Sequence, residues 1–114
     1  MKLRDLCFFK EAPYGGSGSI FDAVRDEEHP QKERIVSYLE NGELCTAAFG
    51  LVRDTLSDEI IGPLFMLTDG VWVWGSDLST YVAKYNVELP EDFVEQVKGW
   101  DGQRFDVNLA SIEL

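Results

Sequence analysis

The sequence contains few of the residues that build most catalytic and metal sites. It has one histidine, His29, and two cysteines, Cys7 and Cys45, with no C-x-x-C spacing and no G-x-S-x-G motif. A structural zinc site needs clustered Cys or His ligands, and α/β-hydrolases carry their nucleophilic serine on such a G-x-S-x-G motif. Both cysteines lie in apolar runs, and such surroundings raise the pKa of a thiol and make it unreactive. We therefore expect no catalytic site, no metal site and no cofactor.

Basic residues are also scarce, since ten Lys and Arg stand against twenty-one Asp and Glu and give a net charge of −11. Nucleic acid and anionic membrane surfaces attract proteins through clustered Lys and Arg, so neither is an expected partner. No apolar run approaches the roughly 18–20 residues that cross a bilayer. The first residues include an early acid and no long apolar segment, unlike a signal peptide. The sequence thus predicts a cytoplasmic protein whose partner is a positively charged polypeptide.

Helix signals divide the chain into four short helical segments. A capping serine precedes the first helix, a first-turn proline and an Asn-Gly pair bracket the second, an N-cap begins the third and Pro90 begins the fourth. The predicted segments cover residues 19–26, 30–41, 77–86 and 90–99. In the third, Leu78, Tyr81, Val82 and Tyr85 share one face. With 114 residues and 45% apolar content, residues 1–114 are expected to form a single domain.

The strand signals centre on an Asp-Gly pair, Asp69-Gly70, between two β-prone runs. This pair predicts a two-residue type I′ hairpin. Its register would pair four positions: Thr68 with Val71, Leu67 with Trp72, Met66 with Val73, and Phe65 with Trp74. Alternation then places Phe65, Leu67, Trp72 and Trp74 on one face, and Met66 and Val73 on the other.

Two further strands complete the predicted sheet. The apolar run over 44–52 is typical of a single central strand, and the alternation over 104–109 predicts a last strand. Strands grouped with short helices on either side indicate an α+β fold. We expect a mainly antiparallel sheet of three to five strands around the central Asp-Gly hairpin, packed with three to four short helices.

Negative charge is concentrated in the second half of the chain. Residues 54–101 carry a net charge of −8, whereas residues 1–53 carry −2. Helix caps and first-turn positions explain some of these acids, and Asp69 can be explained by turn chemistry alone. Five of the acids, together with two tryptophans that could anchor an interface, form the candidate partner-binding set: Asp54, Asp58, Glu59, Asp69, Trp72, Trp74 and Asp77. The alternative interpretation is that both tryptophans are core residues.

Several motifs over residues 19–97 resemble those of a known group of proteins. They are Tyr38-Leu39-x-x-Gly42, Asp54, Thr68-Asp69-Gly70-Val71-Trp72-Val73-Trp74, Asp77-Leu78-x-x-Tyr81-Val82-x-x-Tyr85 and Leu89-Pro90-x-x-Phe93. The chain is similar in these motifs to small acidic immunity proteins of bacterial polymorphic and contact-dependent growth-inhibition toxin systems. The resemblance implies a cytoplasmic protein that binds and neutralises a cognate toxin domain, in many cases a nuclease, through an acidic surface.

A second hypothesis is a scaffold or small-ligand-binding module. Its aromatic pocket would lie between the sheet and the helix over 77–86, and four rings would line it: Trp72, Trp74, Tyr81 and Tyr85.

Overall fold

Short helices and strands alternate along the chain in this computed structural model, which describes residues 3–7, 9, 18–46, 50–103 and 105. Within those residues there are six strands and four helices. In chain order they are β1 Arg4–Asp5, α1 Ile20–Ala23, α2 Lys32–Glu40, β2 Glu43–Thr46, β3 Leu51–Arg53, β4 Ile60–Pro63, β5 Met66–Thr68, β6 Trp72–Gly75, α3 Leu78–Tyr85 and α4 Glu91–Lys98.

Four of the strands form one mixed sheet in the order β1-β6-β5-β2. β6 pairs antiparallel with β5, β5 pairs antiparallel with β2, and β1 joins the edge of β6 in parallel. The remaining strands, β3 and β4, form a separate antiparallel ribbon. The predicted α+β class, with a mainly antiparallel sheet around a central hairpin, is confirmed.

The register predicted for the hairpin is wrong by two residues. Thr68 pairs with Val73, and Leu67 pairs with Trp74. Asp69 Oδ1 accepts hydrogen bonds from the backbone N–H groups of Val71 and Trp72, at 2.9 and 2.8 Å, and these bonds widen the loop to four residues. Asp69 itself does not have the positive φ that a type I′ turn requires.

A slip of two residues leaves every side chain on its predicted face, because side chains alternate with a period of two. The face that meets the helices carries Trp72 and Trp74, which are buried with residues of α2, α3 and α4. Met66 and Val73 lie on the opposite face, where they pack with Leu3 and the half-buried Cys45. The predicted division of the hairpin into two apolar faces is therefore confirmed.

The single strand predicted over 44–52 is wrong. β2 ends at Thr46, and the chain then enters the separate β3–β4 ribbon at Leu51. Gly50 lies between them with a φ of +92°, a conformation that L side chains rarely adopt, and it changes the direction of the chain. The last strand predicted over 104–109 lies outside the described residues, apart from Phe105.

The helices follow the predicted segments with two differences. α1 is shorter than expected, because Val24 already has an extended backbone, at φ −65° and ψ 137°. Gly42 was expected to stop α2 in a left-handed conformation, yet its φ is not positive. Its role is close packing instead, since a Cβ at this position would lie 2.7 Å from Trp74 Cζ2.

No helix in the described part of the chain is both long enough and apolar enough to cross a bilayer.

Candidate functional site

The two tryptophans of the candidate partner-binding set are core residues. Trp72 is 3% exposed and Trp74 is fully buried. Both indoles meet the ring of Phe93 edge-on, with centroid distances of 5.6 and 6.0 Å. Trp74 Nε1 also donates a hydrogen bond to the backbone oxygen of Leu39. Neither ring reaches the surface, so the expectation that they contact a partner is corrected.

The aromatic pocket of the second hypothesis is likewise occupied by the protein's own packing. Tyr81 is 3% exposed, and its hydroxyl accepts a hydrogen bond from the Thr55 N–H and lies 3.3 Å from the Arg53 backbone oxygen. Tyr85 is half-buried, and its ring lies 6.3 Å from that of Tyr81. These hydroxyls and rings fasten α3 to the β3–β4 turn and line no open aromatic pocket of the predicted kind.

Asp54 is a buried structural carboxylate rather than a surface contact. Its Oδ1 accepts from the N–H groups of Leu56 and Ser57, at 2.8 and 3.2 Å, and its Oδ2 accepts from the Tyr85 hydroxyl at 2.8 Å. Burial raises the pKa of Asp54, but these hydrogen bonds to the ionised form outweigh it and hold the pKa below its usual value. Asp54 therefore organises the β3–β4 turn and fixes it to α3.

Asp69 and Asp77 also have structural surroundings. Asp69 is half-buried, and its second oxygen accepts hydrogen bonds from the Tyr38 hydroxyl and the Gln96 side-chain amide. Burial raises the pKa of Tyr38, and Asp69 raises it further. Asp77 is fully buried immediately before α3, and its backbone oxygen accepts from the N–H of Tyr81. The interpretation of Asp69 as a turn residue agrees with its hydrogen bonds to the N–H groups of Val71 and Trp72 in the hairpin loop.

Only Asp58 and Glu59 of the candidate set are exposed. Asp58 has a φ of +62°, and its backbone oxygen accepts from Arg53 Nη1 at 3.0 Å. Glu59 Oε2 lies 3.9 Å from Lys84 Nζ. The seven predicted residues thus do not form one surface. Of this set, only Asp58 and Glu59 are exposed to a partner.

A different acidic feature, which we call the acidic groove, lies between the N-terminal part of α2, the α3–α4 connection and α4. Its volume is about 560 Å³. One wall is formed by Arg25, residues 27–29 and Lys32, the other by Glu91, Glu95 and Lys98 of α4, and residues 86–89 lie between them. The floor is aliphatic and includes Ile35, Val82 and Val94. Acidic walls above an apolar floor distinguish this region from the turn at Asp58.

Two backbone hydrogen bonds fix the chain after α1, which forms one wall of the acidic groove, to the α3–α4 connection. Arg25 N–H donates to the Tyr85 oxygen at 3.1 Å, and Glu88 N–H donates to the Ala23 oxygen at 2.8 Å. The Asn86 side chain adds a third contact by donating to the Arg25 oxygen at 3.3 Å. The chain after α1 is thereby held alongside the chain after α3, although about sixty residues separate them in sequence.

Five carboxylates line the acidic groove against three cations. The carboxylates belong to Glu27, Glu28, Glu88, Glu91 and Glu95, and the cations to Arg25, Lys32 and Lys98. Every cation is already engaged: Arg25 pairs with Glu88, Lys32 Nζ lies 3.2 Å from Glu28, and Lys98 Nζ lies 3.1 Å from Glu95.

Two groove carboxylates remain without such a partner. Glu27 and Glu91 form no ion pair with any residue that the structure describes. The acidic groove therefore has an excess of negative charge that the described basic residues do not neutralise.

Sequence reasoning missed the acidic groove. Glu88, Glu91 and Glu95 contribute to the negative charge of residues 54–101, but their positions in the sequence do not indicate that they lie near Glu27 and Glu28. The local clusters at 26–28 and 88–95 were visible, but their proximity depends on the non-local pairing of Ala23 with Glu88.

The excess of carboxylates in the acidic groove favours binding of cationic groups. Among the described residues, no group of three or more His, Cys, Asp or Glu side chains is placed to hold a metal ion. His29, on the groove wall, accepts a hydrogen bond at Nδ1 from the N–H of Gln31.

Comparison of the chain with protein-family models, curated proteins and solved structures finds no match.

Proposed function

We propose that this protein is an immunity protein, which binds a positively charged toxin domain in the cytoplasm and neutralises it. The resemblance of the motifs over 19–97 suggests this role, and one physical observation supports it. The described surface is strongly acidic, and five of its exposed carboxylates line the acidic groove.

The surface charge is seen by comparing exposed acids with exposed bases. Fourteen described acidic residues are exposed, against five described Lys and Arg residues. The acids are Asp5, Asp22, Asp26, Glu27, Glu28, Glu33, Glu40, Asp58, Glu59, Glu88, Glu91, Asp92, Glu95 and Asp101. Four of the five bases, Arg4, Arg25, Lys84 and Lys98, already lie in ion pairs with acids. Little positive charge therefore remains to attract an anion.

Such a surface suits a basic partner. A nuclease domain carries Lys and Arg to hold the phosphates of its substrate, and carboxylates of an inhibitor can occupy the positions of those phosphates. Complementary charge raises the association rate, and the effect weakens as salt screens it. Inhibition in this proposal is stoichiometric and needs no chemistry from the immunity protein, in keeping with the scarcity of catalytic residue types.

The test is co-expression with the product of the adjacent upstream reading frame. We expect a one-to-one complex on size-exclusion chromatography, a dissociation constant that rises with salt, and survival of cells that would otherwise be killed by that product. A product that is not toxic, or one that forms no complex at low salt, would contradict the proposal.

The exposed pair of the candidate set can be tested in the same assay. The double variant Asp58→Lys and Glu59→Lys adds four units of positive charge at the β3–β4 turn. If the partner docks there, affinity falls and the salt dependence becomes shallower while the urea unfolding midpoint is kept. Unchanged affinity would remove this turn from the interface.

A further inference from the structure

We infer that the acidic groove receives an extended segment of the partner in which basic residues flank an aliphatic residue. This inference deepens the proposed function and rests on it for the identity of the partner. It locates the docking site away from the β3–β4 turn and states what the segment must carry.

The shape of the acidic groove favours a segment of chain over a flat protein surface. Its volume of about 560 Å³ lies within the roughly 300–1,000 Å³ of ordinary ligand pockets. Its walls belong to different parts of the chain, and the groove between them is open to solvent. In an extended segment successive side chains point to opposite sides, so an aliphatic side chain can enter the groove while the long, flexible Lys and Arg side chains next to it bend back to the carboxylates of the walls.

The floor specifies an aliphatic side chain. Val82, Val94 and Val87 line it, and packing against the core leaves them 3%, 8% and 5% exposed. The half-buried Leu89 also lines the groove. These groups offer no hydrogen bond, so a polar side chain entering the floor would lose its water without compensation. An aliphatic side chain gains about 25 cal/mol for each Å² that it buries.

The walls specify positive charge on both sides of that side chain. Glu27 lies on one wall and Glu91 on the other, and neither forms an ion pair with the described residues. Glu95 lies one turn beyond Glu91, so the two project from the same side of α4. An anionic ligand would be repelled from here. A metal ion would find no set of three ligands in the described chain.

The existing ion pairs show that the groove accommodates long basic side chains. Lys32 is only partly exposed, and its Nζ lies 3.2 Å from Glu28 and 2.8 Å from the Asn86 side-chain oxygen. Lys32 thus places its ammonium group beside a wall carboxylate of the same chain. We expect Lys and Arg side chains of the partner to bind Glu27 and Glu91 in the same way.

The test uses a defined probe and the full-length chain labelled with ¹⁵N. The probe is the peptide acetyl-Lys-Leu-Arg-Val-Lys-amide, compared with acetyl-Lys-Gly-Arg-Gly-Lys-amide, which keeps the charge and lacks the aliphatic side chains. We expect saturable amide shifts at Asn86, Val87 and Glu95 with the first peptide. The glycine peptide should bind at least about threefold more weakly, since it cannot use the floor.

Two matched variants locate the site, because each removes two negative charges. Glu27→Gln with Glu91→Gln neutralises the groove, and Asp58→Asn with Glu59→Gln neutralises the turn. We expect the groove variant to weaken peptide binding about tenfold, which corresponds to about 1.4 kcal/mol, and the turn variant to weaken it less than about twofold. The amide removes charge without changing side-chain length, and urea unfolding of both variants checks that the fold is kept.

Several results would overturn the inference. They are an absence of shifts at millimolar peptide, shifts confined to residues 58–59, equal weakening by the two variants, and equal binding of the two peptides. The same variants are then measured against the co-expressed toxin domain. A complex that forms and ignores the groove variant contradicts the groove inference alone, whereas failure of the wild-type chain to form a complex contradicts the proposed function.

Discussion

The buried carboxylate of Asp54 allows a quantitative prediction about stability. The substitution Asp54→Ala removes an acceptor of hydrogen bonds from Leu56 N–H, Ser57 N–H and the Tyr85 hydroxyl. Each bond to a charged acceptor contributes about 1.5–3 kcal/mol when its donor is shielded. Because these donors are only partly shielded, water replaces some of the loss. We therefore expect unfolding to become easier by about 3 kcal/mol in total.

Urea denaturation followed by tryptophan fluorescence measures this loss, since Trp72 and Trp74 are buried in the folded chain. With a slope of about 1.5 kcal/mol/M, the unfolding midpoint of Asp54→Ala should fall by about 2 M. Tyr85→Phe is the matched control, because it removes only one of the three bonds and should give less than half of the shift. A midpoint within about 0.3 M of the wild type would refute the role assigned to Asp54.

The lowered pKa of Asp54 adds a dependence on pH that a mere packing role would not show. A carboxyl whose folded pKa lies below its unfolded value of about 3.9 stabilises the fold fully above that pH. This contribution is lost as pH falls through the folded pKa. The variant Asp54→Asn cannot titrate, so the difference in unfolding free energy between it and the wild type should narrow below about pH 4. A difference in unfolding free energy that stays constant down to pH 2.5, which is about 1.4 pH units below the unfolded pKa, would contradict the assignment.

Three further predictions concern the hairpin, the α2–β2 junction and a thiol. Gly42→Ala should destabilise the fold by about 1–3 kcal/mol, because the new methyl would lie too close to Trp74; an unchanged urea midpoint would contradict this packing. Asp69→Ala should lower the unfolding free energy by about 2 kcal/mol through loss of the loop acceptor, and a loss under 0.5 kcal/mol would show that the loop holds without it. Burial raises the pKa of Cys7 to about 12. In a Cys45→Ser background, the half-buried Cys7 of the folded chain should react with a disulfide reagent at pH 8 about a thousandfold more slowly than in urea, and similar rates would contradict the raised pKa.

The hairpin shows what alternation in a sequence can and cannot predict. The two-sided apolar pattern of the hairpin predicted the face of Leu67, Trp72 and Trp74 and the opposite face of Met66 and Val73 correctly, since any even slip preserves it. The register depended on whether Asp69 would adopt a positive φ or use its side chain to bind the N–H groups of Val71 and Trp72. Both are ordinary behaviour for an aspartate in a turn, and the local sequence favours the first only through the following glycine.

Burial of acids was the harder problem, because residue type alone predicts exposure for aspartate. Asp54 precedes a Thr-Leu-Ser turn whose N–H groups it binds, so an Asx-turn signal was present in the sequence. The acidic groove carried no comparable signal. It depends on the backbone pairing of Ala23 with Glu88, which holds the chain after α1 beside the α3–α4 connection, and nothing in either segment alone indicates the other.

The shortest strand affects whether the edge of the sheet can pair with a strand of another molecule. β1 contains only Arg4–Asp5, yet the N–H groups of Arg4 and Leu6 donate to the backbone oxygens of Val71 and Val73, each at 2.9 Å. Without that cover, β6 would present an apolar edge to solvent, and exposed edges of this kind template intermolecular strand pairing. Two residues of strand therefore act as a guard against aggregation, and the charged side chains of Arg4 and Asp5, both exposed, make the new edge a poor template.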